Sequence, residues 1–201
     1  YARRRGRLER LIKPLDATVP LRLTKTLAFT TWQALADIRA TARDKATEGV
    51  MIKRRDSLYG VGRKRGDWWK WKLDPLTIDA VMIYAQAGHG RRATLFTDFT
   101  FAVWQGDTLV PFAKAYSGLT DDEYRQITKW VRKNTLKRFG PVRQVTAEHV
   151  FEIAFEGLHA STRHKSGVAL RFPRMRRWRQ DKVVQQANTL DDLKEMLQTY
   201  G

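Results

Sequence analysis

The stretch Glu48-Gly49-Val50-Met51-Ile52-Lys53, a basic loop containing Gly60-Val61-Gly62-Arg63-Lys64-Arg65-Gly66, and then Asp67-Trp68-Trp69-Lys70-Trp71-Lys72 decides how the chain is read. Val50 and Ile52 alternate with Met51 and Lys53, and Trp69 and Trp71 alternate with Lys70 and Lys72. Each run therefore reads as a strand with one apolar face and one face carrying charge. The period places Lys70 and Lys72 on the same side. If both strands line one cleft, the Glu48 carboxylate and two ammonium groups converge there, as a magnesium-bound nucleotide requires. The plainer alternative is that these charges only solvate one face of an ordinary sheet.

The chain has 201 residues, room for one large or two small domains with a sizeable core. Its 38 Lys+Arg against 21 Asp+Glu give a net charge of +17 and a pI near 10.5. Such a surplus favours a polyanionic partner, of which nucleic acid is the commonest. No apolar run approaches the about 20 residues of a spanning helix, so no membrane partner is expected. There is no secretory pattern and no cysteine, which excludes disulfides and thiolate zinc sites. A reducing, cytoplasmic compartment is compatible with that. The start, Tyr1 running into Arg3-Arg4-Arg5-Gly6-Arg7-Leu8-Glu9-Arg10-Leu11-Ile12, reads as a cut end within a longer protein.

Taken in order, Arg3 to Ile12 predicts a basic amphipathic helix ended by Pro14. Val19 to Leu27 predicts a strand, and Trp32, Leu35, Ile38 and Ala42 predict a helix from Thr30 or Thr31 to Arg43. After the two strands described above, Leu73-Asp74-Pro75 breaks the pattern, and a boundary or hinge belongs there. Strands are expected at Ile78–Ala85, Leu95–Trp104 and Leu109–Ala115, the last two joined by a Gly106-Asp107 turn. A helix from Asp121 to Arg138 opens with Thr120 and Glu123 as a capping box and closes before Gly140-Pro141. Val150–Phe155 and Val168–Phe172 are further strands, and Leu190–Tyr200 a closing helix. The expected fold is α+β, with residues 75–201 forming a five-stranded barrel of the oligonucleotide-binding (OB) kind with an inserted helix. Sandwiches share this strand pattern.

Familiar phosphate loops are absent from the sequence. The glycines at 60, 62 and 66 have one residue too many for the dinucleotide fingerprint, and there is no Gly-Lys-Ser/Thr. The histidines at 89, 149, 159 and 164 lack metal spacing and receive no role. The segment Leu170-Arg171-Phe172-Pro173-Arg174-Met175-Arg176-Arg177-Trp178-Arg179-Gln180-Asp181-Lys182 interleaves arginines with apolar anchors. Several guanidinium forks together suit phosphate oxygens.

With these residues in view, the chain resembles the ATP-dependent DNA ligases. Glu48 to Lys53 is similar to their fourth signature, Trp69-Lys70-Trp71-Lys72 to the fifth, and Arg171-Phe172-Pro173-Arg174 through Arg177, Arg179, Asp181 and Lys182 to the sixth. Arg4-Arg5 with Leu8-Glu9 resembles the basic helix that follows the third. Capping enzymes and RNA ligases share the fourth signature, whereas the tail points to DNA ligases; the general texture suggests a bacterial repair-type branch.

The resemblance implies that residues 1–74 are the end of a nucleotidyltransferase (adenylation) domain and 75–201 an OB-fold domain. It implies ATP and Mg2+ (or Mn2+) as cofactors, nicked double-stranded DNA as partner, other DNA-repair proteins as companions, and a monomer. Glu48 would hold or orient the metal, and Lys70 and Lys72 would stabilise charge on the α-phosphate. Arg174, Arg177, Arg179, Asp181 and Lys182 would orient the pyrophosphate, with a rotation near Leu73 to Pro75. The family's Lys-x-Asp-Gly nucleophile is missing; Lys72-Leu73-Asp74-Pro75 only approaches it. The chain by itself is therefore expected not to adenylate itself. A basic OB-type nucleic-acid-binding module without chemistry is the rival expectation.

Overall fold

The computed structural model describes residues 1–16 and 18–201. The chain divides into two compact units, Tyr1–Asp74 and Pro75–Gly201.

In the first unit, helix α1 (Ala2–Ile12) follows the expected periodicity and carries an Arg5–Glu9 pair one turn apart. No strand forms over Val19–Leu27. Val19, Leu21 and Leu27 are exposed there and no neighbouring strand supplies a ladder, so the β-branched and apolar pattern has nothing to pair with. Helix α2 (Trp32–Ala40) opens at Thr31, whose Oγ1 accepts from the Ala34 N–H at 3.1 Å, and it buries Leu35. It stops short of Arg43. A short 3-10 turn, Arg43–Lys45, follows, and Ala46 takes a left-handed conformation. Strands β1 (Gly49–Lys53) and β2 (Trp68–Lys72) then pair antiparallel, with Gly49 opposite Lys72, Val50 opposite Trp71 and Ile52 opposite Trp69. The expected pairing of apolar residues is realised in the register, but burial does not alternate along β2, where Trp68 and Trp69 are both about half exposed.

The second unit is built on β3 (Leu76–Ala87), β4 (Phe96–Gln105) and β5 (Thr108–Ala115), a meander whose β4–β5 turn has Gly106 at φ +56°. Helix α3 (Asp121–Lys133) follows, opened by the Thr120–Glu123 capping box. It ends at Asn134 rather than running on to Arg138. Residues 135–145 instead form a hairpin of β6 (Thr135–Phe139) and β7 (Val142–Val145), with Gly140 in its turn and β7 laddered onto β3. The tertiary ladder outweighs local helix preference there. After β8 (Val150–Phe155) come β9 (Gly157–Ala160) and β10 (Val168–Arg171), a separate two-stranded ladder, then β11 (Arg174–Trp178) and the closing helix α4 (Leu190–Tyr200).

The main sheet runs β11-β8-β3-β4-β5, all antiparallel, with β7 and β6 added beside β3. It is curled: the Met175 N–H at one edge donates to Ser117 O just beyond the other, at 2.9 Å. Gly118 makes that approach possible, since a Cβ there would lie 1.7 Å from Met175 O. The observed build is mixed α+β with a curled five-stranded antiparallel core, and the β6–β7 hairpin, β9 and β11 go beyond the strands expected from the sequence. Phe99, Phe101, Phe151, Phe155, Met82 and Met175 fill the core, and Tyr124, Ile127 and Val131 of α3 complete it. Burying such side chains stabilises the unit by about 1.5–3 kcal/mol each.

Candidate nucleotide and phosphate sites

In the first unit the Lys72 Nζ lies 2.7 Å from Glu48 Oε2, each side chain about a third exposed. Three local features hold this pair. Gly49 lets the strands close: with φ +139°, any Cβ would sit 2.3 Å from Trp71 O. The Leu73 N–H donates to Glu48 O at 2.9 Å, extending the ladder past Lys72. Arg39 of α2 donates twice to Lys72 O, at 3.0 Å from Nε and 2.8 Å from Nη2, while its guanidinium lies 5.0 Å from the Trp71 ring. Arg43 adds a 2.7 Å bond to Asp74 O. Lys70 is exposed, opposite Met51, and shares the strand face of Lys72. The loop glycines at 60, 62 and 66 are exposed, and Lys53 packs its ammonium 4.3 Å from the Trp68 ring.

The basic segment of the second unit separates into two groups. Arg179 is nearly saturated: Nη1 reaches both Asp79 oxygens at 3.3 and 3.0 Å, while Nε and Nη2 fork onto Asp181 at 2.9 and 2.7 Å. Lys182 Nζ donates to Asp79 Oδ2 at 2.6 Å. The Asp181 fork raises the Arg179 pKa further, and the same contact holds the Asp181 carboxyl well below its ordinary range. Arg176 and Arg177 instead share Glu152 at 3.4 Å and keep more than half of each side chain exposed. Arg174 pairs with Glu156 at 3.0 Å. Arg171 lies over the exposed ring of Phe172, a left-handed residue at φ +53° where the chain leaves β10 for β11.

Glu48 and Lys72 are therefore brought together, Lys70 sits on the face of Lys72, Arg179 and Lys182 meet at Asp79 with Asp181 beside them, and Arg177 pairs with Glu152, the neighbour of Asp79 in the β3–β8 ladder. Two residues carry this geometry without having been anticipated. Asp79 is a lone carboxylate in the apolar run Ile78-Asp79-Ala80-Val81, a signal the sequence did contain. Arg39 left no signal, since its helix pattern is that of any solvated arginine. His149, given no role, packs between the rings of Trp130 and Trp178 at 4.3 and 4.9 Å. Among the described residues no three His, Asp or Glu side chains cluster as a metal cage.

A mixed α+β build with a strand pair carrying a carboxylate and lysines, followed by a curled antiparallel sheet with a basic edge segment, is consistent with a ligase adenylation/OB-like arrangement. Comparison with known proteins narrows the class. Residues 1–72 match the model of the ATP dependent DNA ligase domain, and residues 92–182 match that of the ATP dependent DNA ligase C terminal region. The chain belongs to the ATP-dependent DNA ligase family. It is 43% identical over 157 residues to a "Probable DNA ligase" of Koribacter versatilis, covering 78% of this chain and 27% of that protein. It is 36% identical to a "DNA ligase" of Methanoculleus marisnigri, covering 91% of this chain and 33% of that protein. The chain thus spans about a third or less of the length of these relatives. Its fold is similar to the solved structure described as "DNA binding with a minimal scaffold: Structure-function analysis of Lig E DNA ligases", with a TM-score of 0.60, 17% identity, and coverage of 88% of this chain and 57% of that one.

Proposed function

We propose that this chain is the C-terminal part of a DNA ligase that uses ATP to seal nicks in double-stranded DNA through lysine-AMP and DNA-adenylate intermediates. On this reading residues 1–74 end the adenylation domain and 75–201 form the OB-fold domain. The observation that carries it is the Glu48–Lys72 pair, set at 2.7 Å where the antiparallel strands approach too closely at Gly49 for any Cβ. Lys72 and Lys70 stabilise charge on the α-phosphate oxygens, where positioned cations do most of the work of phosphoryl transfer. The basic segment around Arg177 orients the pyrophosphate.

The donor set fits Mg2+ (or Mn2+) in one respect. Mg2+ is commonly held by one or two carboxylates together with nucleotide phosphates and water, so Glu48 alone suffices on the protein side. The ion, when bound, neutralises phosphate charge. Glu48 would hold it, and Lys72 would face the phosphate oxygens of the nucleotide. The nucleophile lysine lies outside these residues, so the chain by itself does not take up AMP.

The test is transfer of labelled AMP from ATP to the full-length ligase carrying this chain, and Lys72→Ala in the same protein. Loss of one preorganised cation corresponds to about 2.7–4 kcal/mol of transition-state stabilisation, a drop of roughly 100- to 1000-fold. A Lys72→Ala enzyme sealing nicks at wild-type rate removes Lys72 from the site. No acid-labile AMP on the full-length protein, with DNA binding intact, leaves a basic nucleic-acid-binding module in place of the enzyme.

A further inference from the structure

The β6–β7 hairpin has no part in the sites described above, yet it widens one side of the sheet beyond β3. We propose that the outward face of β5-β4-β3-β7-β6 is one continuous platform for double-stranded DNA, with Lys137 and Phe139 of the hairpin forming its far margin. This rests on reading residues 75–201 as an OB-type domain, whose ligands lie on the second and third strands, here β4 and β5. The hairpin carries that surface two strands further.

The ladders decide which side chains share this face. Lys114 lies opposite Thr100, Thr100 opposite Tyr84, Tyr84 opposite Gln144, and Gln144 opposite Lys137. Cross-strand partners point the same way, so one row of side chains runs from β5 to β6. Phe139, two residues beyond Lys137, has the same parity, as does Tyr116, two residues beyond Lys114. Phe99, Phe101 and Ala85 fall between these positions and are buried, which fixes the row as the outer side. With strands about 4.8 Å apart the face is about 19 Å across, the length of about five or six base steps at about 3.4 Å each.

A sheet face that only meets water is lined by polar side chains. Here both margins carry rings, Tyr116 at 66% and Phe139 at 52% exposure. Each ring stands on a fixed backbone. Tyr116 O accepts from the Tyr124 hydroxyl at 3.1 Å, and the next carbonyl, Ser117 O, accepts from the Met175 N–H at 2.9 Å. Phe139 precedes the turn at Gly140, φ +56°, which Arg143 closes from the reverse side by donating Nη1 to Gly140 O at 2.6 Å. Rings held out in this way have little backbone freedom left to lose on stacking against a base or sugar. Lys137 is exposed and makes no ion pair among the described residues. Asp98, a carboxylate on the same face, is 23% exposed and already has Lys114 at 4.0 Å. On a chain of net charge +17 such a face suits a polyanion, whereas a second copy would bring like charge against it. Arg138, next to Lys137, lies opposite Arg143 and so belongs to the reverse side of the hairpin.

The experiment is fluorescence anisotropy of a labelled nicked duplex with the 201-residue chain over a range of salt concentrations. Tyr116→Ala and Phe139→Ala are each expected to bind about tenfold more weakly with the salt slope unchanged, because a stacked ring releases no counterion. Phe139→Trp is expected to keep wild-type affinity. Lys137→Gln should reduce the slope by about 1, and Arg138→Gln, the same change of charge on the reverse side, by less than about 0.3. All these positions are exposed, and the Lys137 and Arg138 variants serve if Phe139→Ala does not fold. Wild-type affinity in either alanine variant overturns the proposal. Equal slopes for Lys137→Gln and Arg138→Gln overturn it too, since diffuse positive charge would give that result. The ligase reading fails separately, by absence of AMP transfer in the full-length protein, which leaves these binding measurements unchanged.

Discussion

Replacing Gly49 by alanine probes the Glu48–Lys72 pair most directly. Gly49 faces Lys72 in the ladder, and an added Cβ would lie 2.3 Å from Trp71 O and 2.8 Å from Lys72 Cα. Ordinary contact begins near 3.4 Å, and both clashing atoms are backbone, so neither can rotate away. The strand ends must part by about 1 Å, and the positive φ adds about 1–3 kcal/mol of strain. Glu48 precedes Gly49 directly, so its 2.7 Å contact with Lys72 opens by a similar distance. A misplacement of about 1 Å at a phosphoryl-transfer site lowers the rate by roughly 100-fold. The assay is single-turnover AMP transfer from labelled ATP by the full-length ligase. Gly62→Ala is the control: it too has positive φ, but nothing lies within 4 Å of its Cβ. It should stay within about threefold of wild type, because local strain alone is involved. Gly49→Ala reacting at the wild-type rate would refute the claim that this close strand approach sets the site.

Arg39→Lys keeps the charge but loses the two-pronged hold on Lys72 O and the stacking on Trp71, so it should weaken the β1–β2 region by about 1–2 kcal/mol, measurable as faster amide exchange at Leu73. Burial pushes the His149 imidazole below its ordinary 6.5, with Glu148 opposing. The folded state then binds fewer protons than the unfolded one, so this stability is complete above 6.5 and declines as pH falls below it. Melting curves between about pH 7.5 and 5.5 should show that decline, and His149→Gln should flatten it; an equal slope in both proteins would contradict the assignment. Binding of the chain to nicked duplex should weaken with salt at a log–log slope of about −0.9 per phosphate neutralised, irrespective of sequence, and Arg177→Ala should reduce that slope by about 1.

Much of the architecture was legible because it rests on local rules. The Thr120–Glu123 box, the Gly106 turn and the extended runs of β1 and β2 are set by side chains within a few residues of one another. The errors fall where distant partners decide. Val19–Leu27 has strand-forming residues but no strand to pair with, and Thr135–Phe139 leaves the helix because β7 and β3 offer it a ladder. Arg174–Trp178 reads as a charged tail with apolar anchors, yet it is an edge strand bulged at Arg176, since only the fold supplies β8 beside it.

For the site, the amino-acid sequence by itself determined which chemical groups are present and in what order: one carboxylate, a lysine pair on one face, and an arginine-rich end, the order shared with ATP-dependent DNA ligases. Tertiary structure alone decided which of them meet. Glu48 reaches Lys72 because Gly49 has no Cβ and Arg39 fixes the Lys72 carbonyl from helix α2. Arg179 and Lys182 turn inward because Asp79, 100 residues away from Arg179 in the chain, places a buried negative charge between them. Electrostatic pairing depends on distance in space, and periodicity within one segment carries no information about a counter-ion on another.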